Sequence, residues 1–306
     1  MALEPEAIGG GSARSHYRHS GEFGVSGVLM GLAGGAATAA ILAIPYSYAA
    51  VYIPIAFFIV PFVFGGAVGY VTALGAKHGK VRNAAVVLLL GIVAGAVAEY
   101  AGWVFWILAF SRHELFVLNP LAILDVMQSI APKGAWSLRG FTPTGAVLWG
   151  LWALEAVVLM GTSAMVAAGM NRSLVFCEQC RKWCERIKRI GPLAALDRSL
   201  LRTLASRLEK GDFSALLALK KVSPTSKSYT AIEILGCDSC RGQSYLTVKS
   251  VTVGKDEDGD REKNETDVVD RLAIGADVRD QLMALSAATS VADLPPAGTP
   301  AGGRKG

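Results

Sequence analysis

All five cysteines of this chain fall after residue 176, at Cys177, Cys180, Cys184, Cys237 and Cys240. Cys177-x-x-Cys180 and Cys237-x-x-Cys240 are two copies of a turn that can aim two sulfurs at one ion. Two such turns supply the four soft ligands of a tetrahedral Zn2+ site. Four thiolates leave no open position for water, so a site of this kind has a structural role and no hydrolytic one. Two separate pairs also point to one shared metal rather than to a thioredoxin-like redox couple. Cys184 is left over. In a helix continuing from the first turn it would lie four residues after Cys180, where it could replace a ligand, react as a thiol activated by Arg181, Lys182 and Arg186, or pack as a small apolar group. Packing is the expected role.

Two carboxylates form the second constellation. Glu99 is the one charge in Ala84–Ser111, and Glu155 the one charge in Gly140–Asn171. A carboxylate in hydrocarbon costs about 2.5–3.5 kcal/mol even on insertion scales, and such residues face protein or a wet cavity. Glu99 precedes Phe110 by 11 residues and Glu155 follows Thr144 by 11. At 1.5 Å per residue both lie about 16 Å from the same boundary, so the side chains could meet. Gly91, Gly95 and Gly102 share the face of Glu99, which places it against a neighbouring helix. The pair would suit a proton-linked transporter, an ion path or a lipid-binding cavity. It would equally suit two helices joined by protonated carboxyls. Trp103, Trp106, Trp149 and Trp152 read as an aromatic belt at the membrane boundary.

The elements that must position these residues follow from charge patterning. Charged residues make up only 18% of the 306, against about 25% in ordinary soluble domains. From Gly24 to Ala76 there are 53 residues with no Asp, Glu, Lys or Arg. That run holds two spans of about 20 residues each. With the stretches around Glu99 and Glu155, four transmembrane helices are expected, over 25–46, 50–75, 84–110 and 144–168. None shows the polar stripe of a soluble helix. Gly24, Gly27, Gly31 and Gly34 form a stripe suited to close packing, including packing between subunits of a homo-oligomer.

The first 23 residues are Gly/Ser/His-rich, carry Glu4, Glu6, Arg14, Arg18 and Glu22, and read as a flexible segment rather than a cleavable signal peptide. Arg14 and Arg18, then Lys77, Lys80 and Arg82, then the basic run from Arg172 to Arg189 fall on one side of the four spans. Arg112, Lys133 and Arg139 fall on the other. The positive-inside rule places both termini in the cytoplasm of a bacterial-type inner membrane. The cysteines then lie in a reducing compartment, which favours metal over disulfides. Within the outer loop 111–143, Asn119 and Pro120 start a short amphipathic helix with Leu121, Leu124, Met127 and Ile130 on one face.

After the last span, 191–212 reads as a helix whose Leu193, Leu196, Leu200, Leu204 and Leu208 share a face. A second short helix follows Asp212. Residues 228–236 and 243–254 alternate as strands with Cys237–Cys240 between them, 266–274 as a third strand, and 276–285 as a final helix. The acidic stretch 255–265 lacks EF-hand spacing and reads as a solvated hairpin tip. Paired C-x-x-C turns beside strands resemble zinc-ribbon modules in general. The resemblance covers the two turns and their flanking strands. The 56 residues between the pairs exceed the usual roughly 15–20, so the two helices would be an insertion.

The expected architecture is a membrane α-helical four-helix bundle over 24–171, a small α+β zinc-ribbon-like cytosolic domain over 172–287, and a disordered tail over 288–306. The domain carries 20 Lys/Arg and 17 Asp/Glu, too even a balance for a phosphate-binding footprint. The expected contacts are membrane lipid and a cytosolic protein partner, with nucleic acid disfavoured. No nucleophile triad or phosphate loop is present, so the chain reads as an interaction or regulatory module rather than an enzyme.

Overall fold

A computed structural model describes residues 14–53, 59–137, 140–240, 242–255 and 261–291. The chain divides into two compact units, His19–Leu174 and a second built from the segments on either side of it.

The first unit consists of helices. α1 (Val25–Tyr52), α2 (Val60–His78), α3 (Ala84–Phe110) and α5 (Gly145–Ser173) are each long and apolar enough to cross a membrane. At 1.5 Å per residue they reach roughly 28–44 Å, against about 30 Å of hydrocarbon. The second helix expected over 50–75 divides differently: α1 continues to Tyr52, and α2 starts at Val60, with Pro61 in its first turn. α3 is capped by Asn83, whose side chain accepts from the backbone N–H groups of Ala85 and Val86.

α1 packs on α2 and α3, and α5 packs on the same two helices. Lipid tails are as apolar as leucine, so these contacts depend on close approach and on polar bonds between helices. Glycines provide the first. A Cβ at Gly69 would sit 2.3 Å from the Ser163 carbonyl oxygen, one at Gly65 2.5 Å from that of Leu159, and one at Gly91 2.7 Å from Ala164 Cα. The Gly27 stripe is used within the chain, where Gly27 Cα would lie 2.0 Å from a Cβ at Gly79. Hydroxyls provide the second: Ser163 donates to the Gly91 carbonyl and Ser47 to the Gly102 carbonyl, both at 2.8 Å.

α4 (Pro120–Ile130) is the short helix expected in the outer loop, capped by Asn119. Its docked face differs from the expected one. Ile123 is buried against Val104 and Ile107 of α3, with Val126 and Met127 beside it. Leu121 and Leu124 remain exposed, because the docking stripe runs through 123, 126 and 127.

In the second unit, β1 (Phe176–Cys177) and β2 (Lys182–Trp183) form a minimal hairpin. β3 (Glu185–Leu193), α6 (Arg198–Glu209), α7 (Ser214–Leu217), β4 (Ser228–Gly236), β5 (Ser244–Lys255), β6 (Arg261–Ile274) and α8 (Ala276–Val291) follow. The four longer strands make one antiparallel sheet in chain order. Ile232, Ile234, Leu246, Val248 and Leu272 on one sheet face meet Leu204, Leu208, Phe213, Leu216 and Leu282 from the helices. The opposite face carries Glu233, which pairs with Arg189 at 3.0 Å and Arg186 at 3.3 Å.

The helix expected over 191–212 is corrected. Its first part is the end of β3, where Gly191 has φ +139°, a value no helix contains, and Leu193 enters the sheet core. Leu200 lies in α6 but is exposed. The segment expected to be flexible over 1–23 is also held in part: Tyr17 donates to the Arg271 carbonyl at 2.9 Å, and Ser15 accepts from Ala273 at 3.0 Å, so the chain at 15–17 borders β6. Residues 1–13, the hairpin tip at 256–260 and the tail from 292 onward lie outside the described residues. The tail's expected start at 288 is still within α8.

Candidate metal centre and intramembrane cavity

β1 ends on Cys177, the chain turns through Arg181 in a left-handed conformation (φ +53°), and Cys177 pairs with Lys182 of β2. The second turn joins β4 to β5, with the Cys237 N–H reaching the Gln243 carbonyl at 3.4 Å. The Sγ atoms of Cys177, Cys180, Cys237 and Cys240 all lie within 4.8 Å of one another. Cys177 and Cys240 are 3.7 Å apart, sulfur to sulfur. Zn–S bonds of about 2.3 Å in a tetrahedron require an S–S edge of about 3.8 Å, so the donor set fits one tetrahedral ion. Four cysteines are therefore positioned to hold a metal, in turns compatible with zinc-ribbon-like knuckles.

The surroundings hold the sulfurs in place. The Cys180 backbone N–H bonds to Cys177 and the Gly242 N–H to Cys240. The Gly242 bond and then the neighbouring thiols lower Cys240 to about 7. Lys182 donates to Ser239 at 3.0 Å, joining the two turns. Phe176 and Trp183 stack edge to face at 4.9 Å across the hairpin. Val175, Tyr245 and Leu235 pack around the cluster. The segment between the knuckles is more than two inserted helices, since it also contributes β3 and β4 to the sheet.

Cys184 does not continue a helix from the first knuckle. It follows β2, donates its backbone N–H to Val175 at 2.7 Å, and is buried beside the cluster but outside the set of four. Burial, and then the cluster's own sulfurs, push its thiol up to about 12. Among its three open roles, this environment suits packing. Cys184→Ala is expected to keep one metal ion per chain by elemental analysis, and a drop to half or less would make Cys184 a ligand.

In the helical unit, Glu99 and Glu155 line one cavity. Trp103 Nε1 donates to Glu99 at 2.9 Å, and the Tyr46 hydroxyl donates to Glu155. Trp103, Trp106 and Trp152 line the same space, Trp103 meets Trp152 edge to face at 5.1 Å, and Trp149 meets Trp152 at 5.2 Å. Ala135 and Trp136 of the loop before α5 line the cavity as well. Tyr46 and Trp136 are absent from the sequence-based site. For Tyr46 a signal existed: a phenol inside an uncharged span needs a hydrogen-bond partner as a carboxylate does. Trp136 sits in a loop and had none.

The chain matches no protein-family model, no curated protein and no solved structure.

Proposed function

We propose that the protein is an integral membrane protein whose four long helices form a bundle, and whose sheet domain is a membrane-anchored interaction or regulatory module stabilised by structural Zn2+. The convergence of four sulfurs within 4.8 Å carries this reading. Cys177, Cys180, Cys237 and Cys240 would hold the ion, which when bound supplies a crosslink between the two knuckles and no catalytic water. A cytoplasmic location for the domain, in a bacterial-type inner membrane, is supported by the basic residues that flank the spans on one side. The packing of 15–17 beside β6 supports an even number of crossings, which returns the chain to the side it left, whichever side that is. The nearly even charge of the domain favours a protein partner over nucleic acid.

The test is elemental analysis of the full-length protein in mild detergent, followed by partner capture before and after chelation. About one zinc per chain is expected, with capture lost on chelation and restored by zinc. A metal-free preparation, or capture indifferent to chelation, would remove the reading.

A second reading has its own observation. Glu99 and Glu155 share a cavity, which favours a small proton-linked transporter or channel. Glu99→Gln and Glu155→Gln would then abolish flux in liposomes, and unchanged flux would end that reading.

A further inference from the structure

The cavity beside Glu99 and Glu155 has a composition that selects its ligand. Two carboxylates, one phenol and the indoles of Trp103, Trp106, Trp136 and Trp152 line it, with no Lys, Arg or His in the lining among the described residues. An anion finds no basic partner among them. A neutral apolar ligand would leave the remaining hydrogen-bonding capacity of both carboxyl groups unused.

Hard metal cations fit poorly. Ca2+ takes six to eight oxygens, and Mg2+ a near-ideal octahedron. Here each carboxylate already accepts a hydrogen bond, from Tyr46 or from Trp103. Indole rings add no oxygen. An ammonium group differs in both respects, since its N–H donors can use the remaining carboxylate lone pairs and its charge is attracted to indole faces.

Size narrows the class further. The cavity volume is about 30 Å3. That is room for roughly two waters. A two-heavy-atom cation replaces two waters, whereas a bulky quaternary ammonium does not fit without opening the site.

We propose that the cavity walled by Glu99, Glu155, Tyr46 and the four tryptophans binds a small primary alkylammonium cation. This deepens the second reading by naming a ligand class, but binding at equilibrium does not require that the protein transports.

The probe is methylammonium chloride, titrated into the full-length protein in mild detergent. Tryptophan fluorescence and calorimetry report occupancy, with NaCl at matched ionic strength and methanol as the uncharged control. A saturable change with methylammonium, absent with sodium and with methanol, is expected. Glu99→Gln and Glu155→Gln should each weaken binding at least tenfold while keeping the melting temperature. Should either variant fail to fold, Trp106→Phe serves in its place and should weaken binding severalfold. No saturable signal, an equal signal with sodium, or undiminished binding in the folded variants would overturn the proposal. Binding without flux in liposomes would support the site and defeat only the transporter reading.

Discussion

A Cys237→Ser variant is expected to lose its metal, from about one ion per chain to nearly none, and to release the β1–β2 hairpin while the rest of the sheet stays folded. The asymmetry comes from where each part gets its stability. The hairpin has two residues per strand, far below what folds alone in water. Structural zinc contributes about 10–16 kcal/mol in small peptides at pH 7, so the hairpin stands or falls with the ion. Around Ile232, Ile234, Leu246 and Leu272 the apolar core contains no cysteine, and α6 and α8 cover it independently. Hydrogen exchange separates the two regions. Amides at 176–184 should exchange at least about a hundredfold faster in the variant, with those of central β4 and β5 little changed. Retained metal, or a hairpin still protected, would show that the four sulfurs do not share an ion.

Gly69→Val should be strongly damaging to the helical unit, costing about 3 kcal/mol or more, at or above the upper end for overpacked sites. Its Cβ would fall 2.3 Å from the Ser163 carbonyl oxygen and 2.8 Å from Ser163 Cα. Backbone cannot rotate away as a side chain can, so α5 must retreat from α2. That movement would also strain the bond from Ser163 to the Gly91 carbonyl. Gly161→Val is the control: nothing lies within 4 Å of a Cβ there, although it is on the same helix as Ser163. The measurement is the melting temperature in mild detergent. Equal losses in the two variants would mean that the helices do not depend on this crossing.

What the sequence makes legible here is whatever charge or period enforces. An uncharged run of 53 residues leaves a membrane helix few alternatives, and Asn119 marks a helix start by its chemistry alone. The four metal-binding candidates were visible because a C-x-x-C turn is local. The errors occur where tertiary pairing overrides local period. Leu193, Leu196 and Leu200 have helical spacing, but Gly191 and the pairing of β3 with β4 draw Leu193 into the sheet. The docked face of α4 was misread because its outer face is apolar too, and spacing alone cannot say which of two apolar faces meets protein. Glu99 and Glu155 could be set at one depth by counting residues. The aromatic enclosure could not, because it draws on three helices and a loop.

The strip at 15–17 has a consequence for the order of assembly. It leaves the ribosome before any of the five helices of the first unit, while the strand it borders, β6, emerges after all of them. Tyr17, whose hydroxyl accepts from the Phe176 backbone N–H at 2.9 Å and whose ring meets that of Tyr245 at 5.2 Å, must therefore wait through the synthesis of most of the chain. The nascent sheet domain is left with a bare margin along β6 until that early strip returns, so insertion of the helices comes before the domain closes.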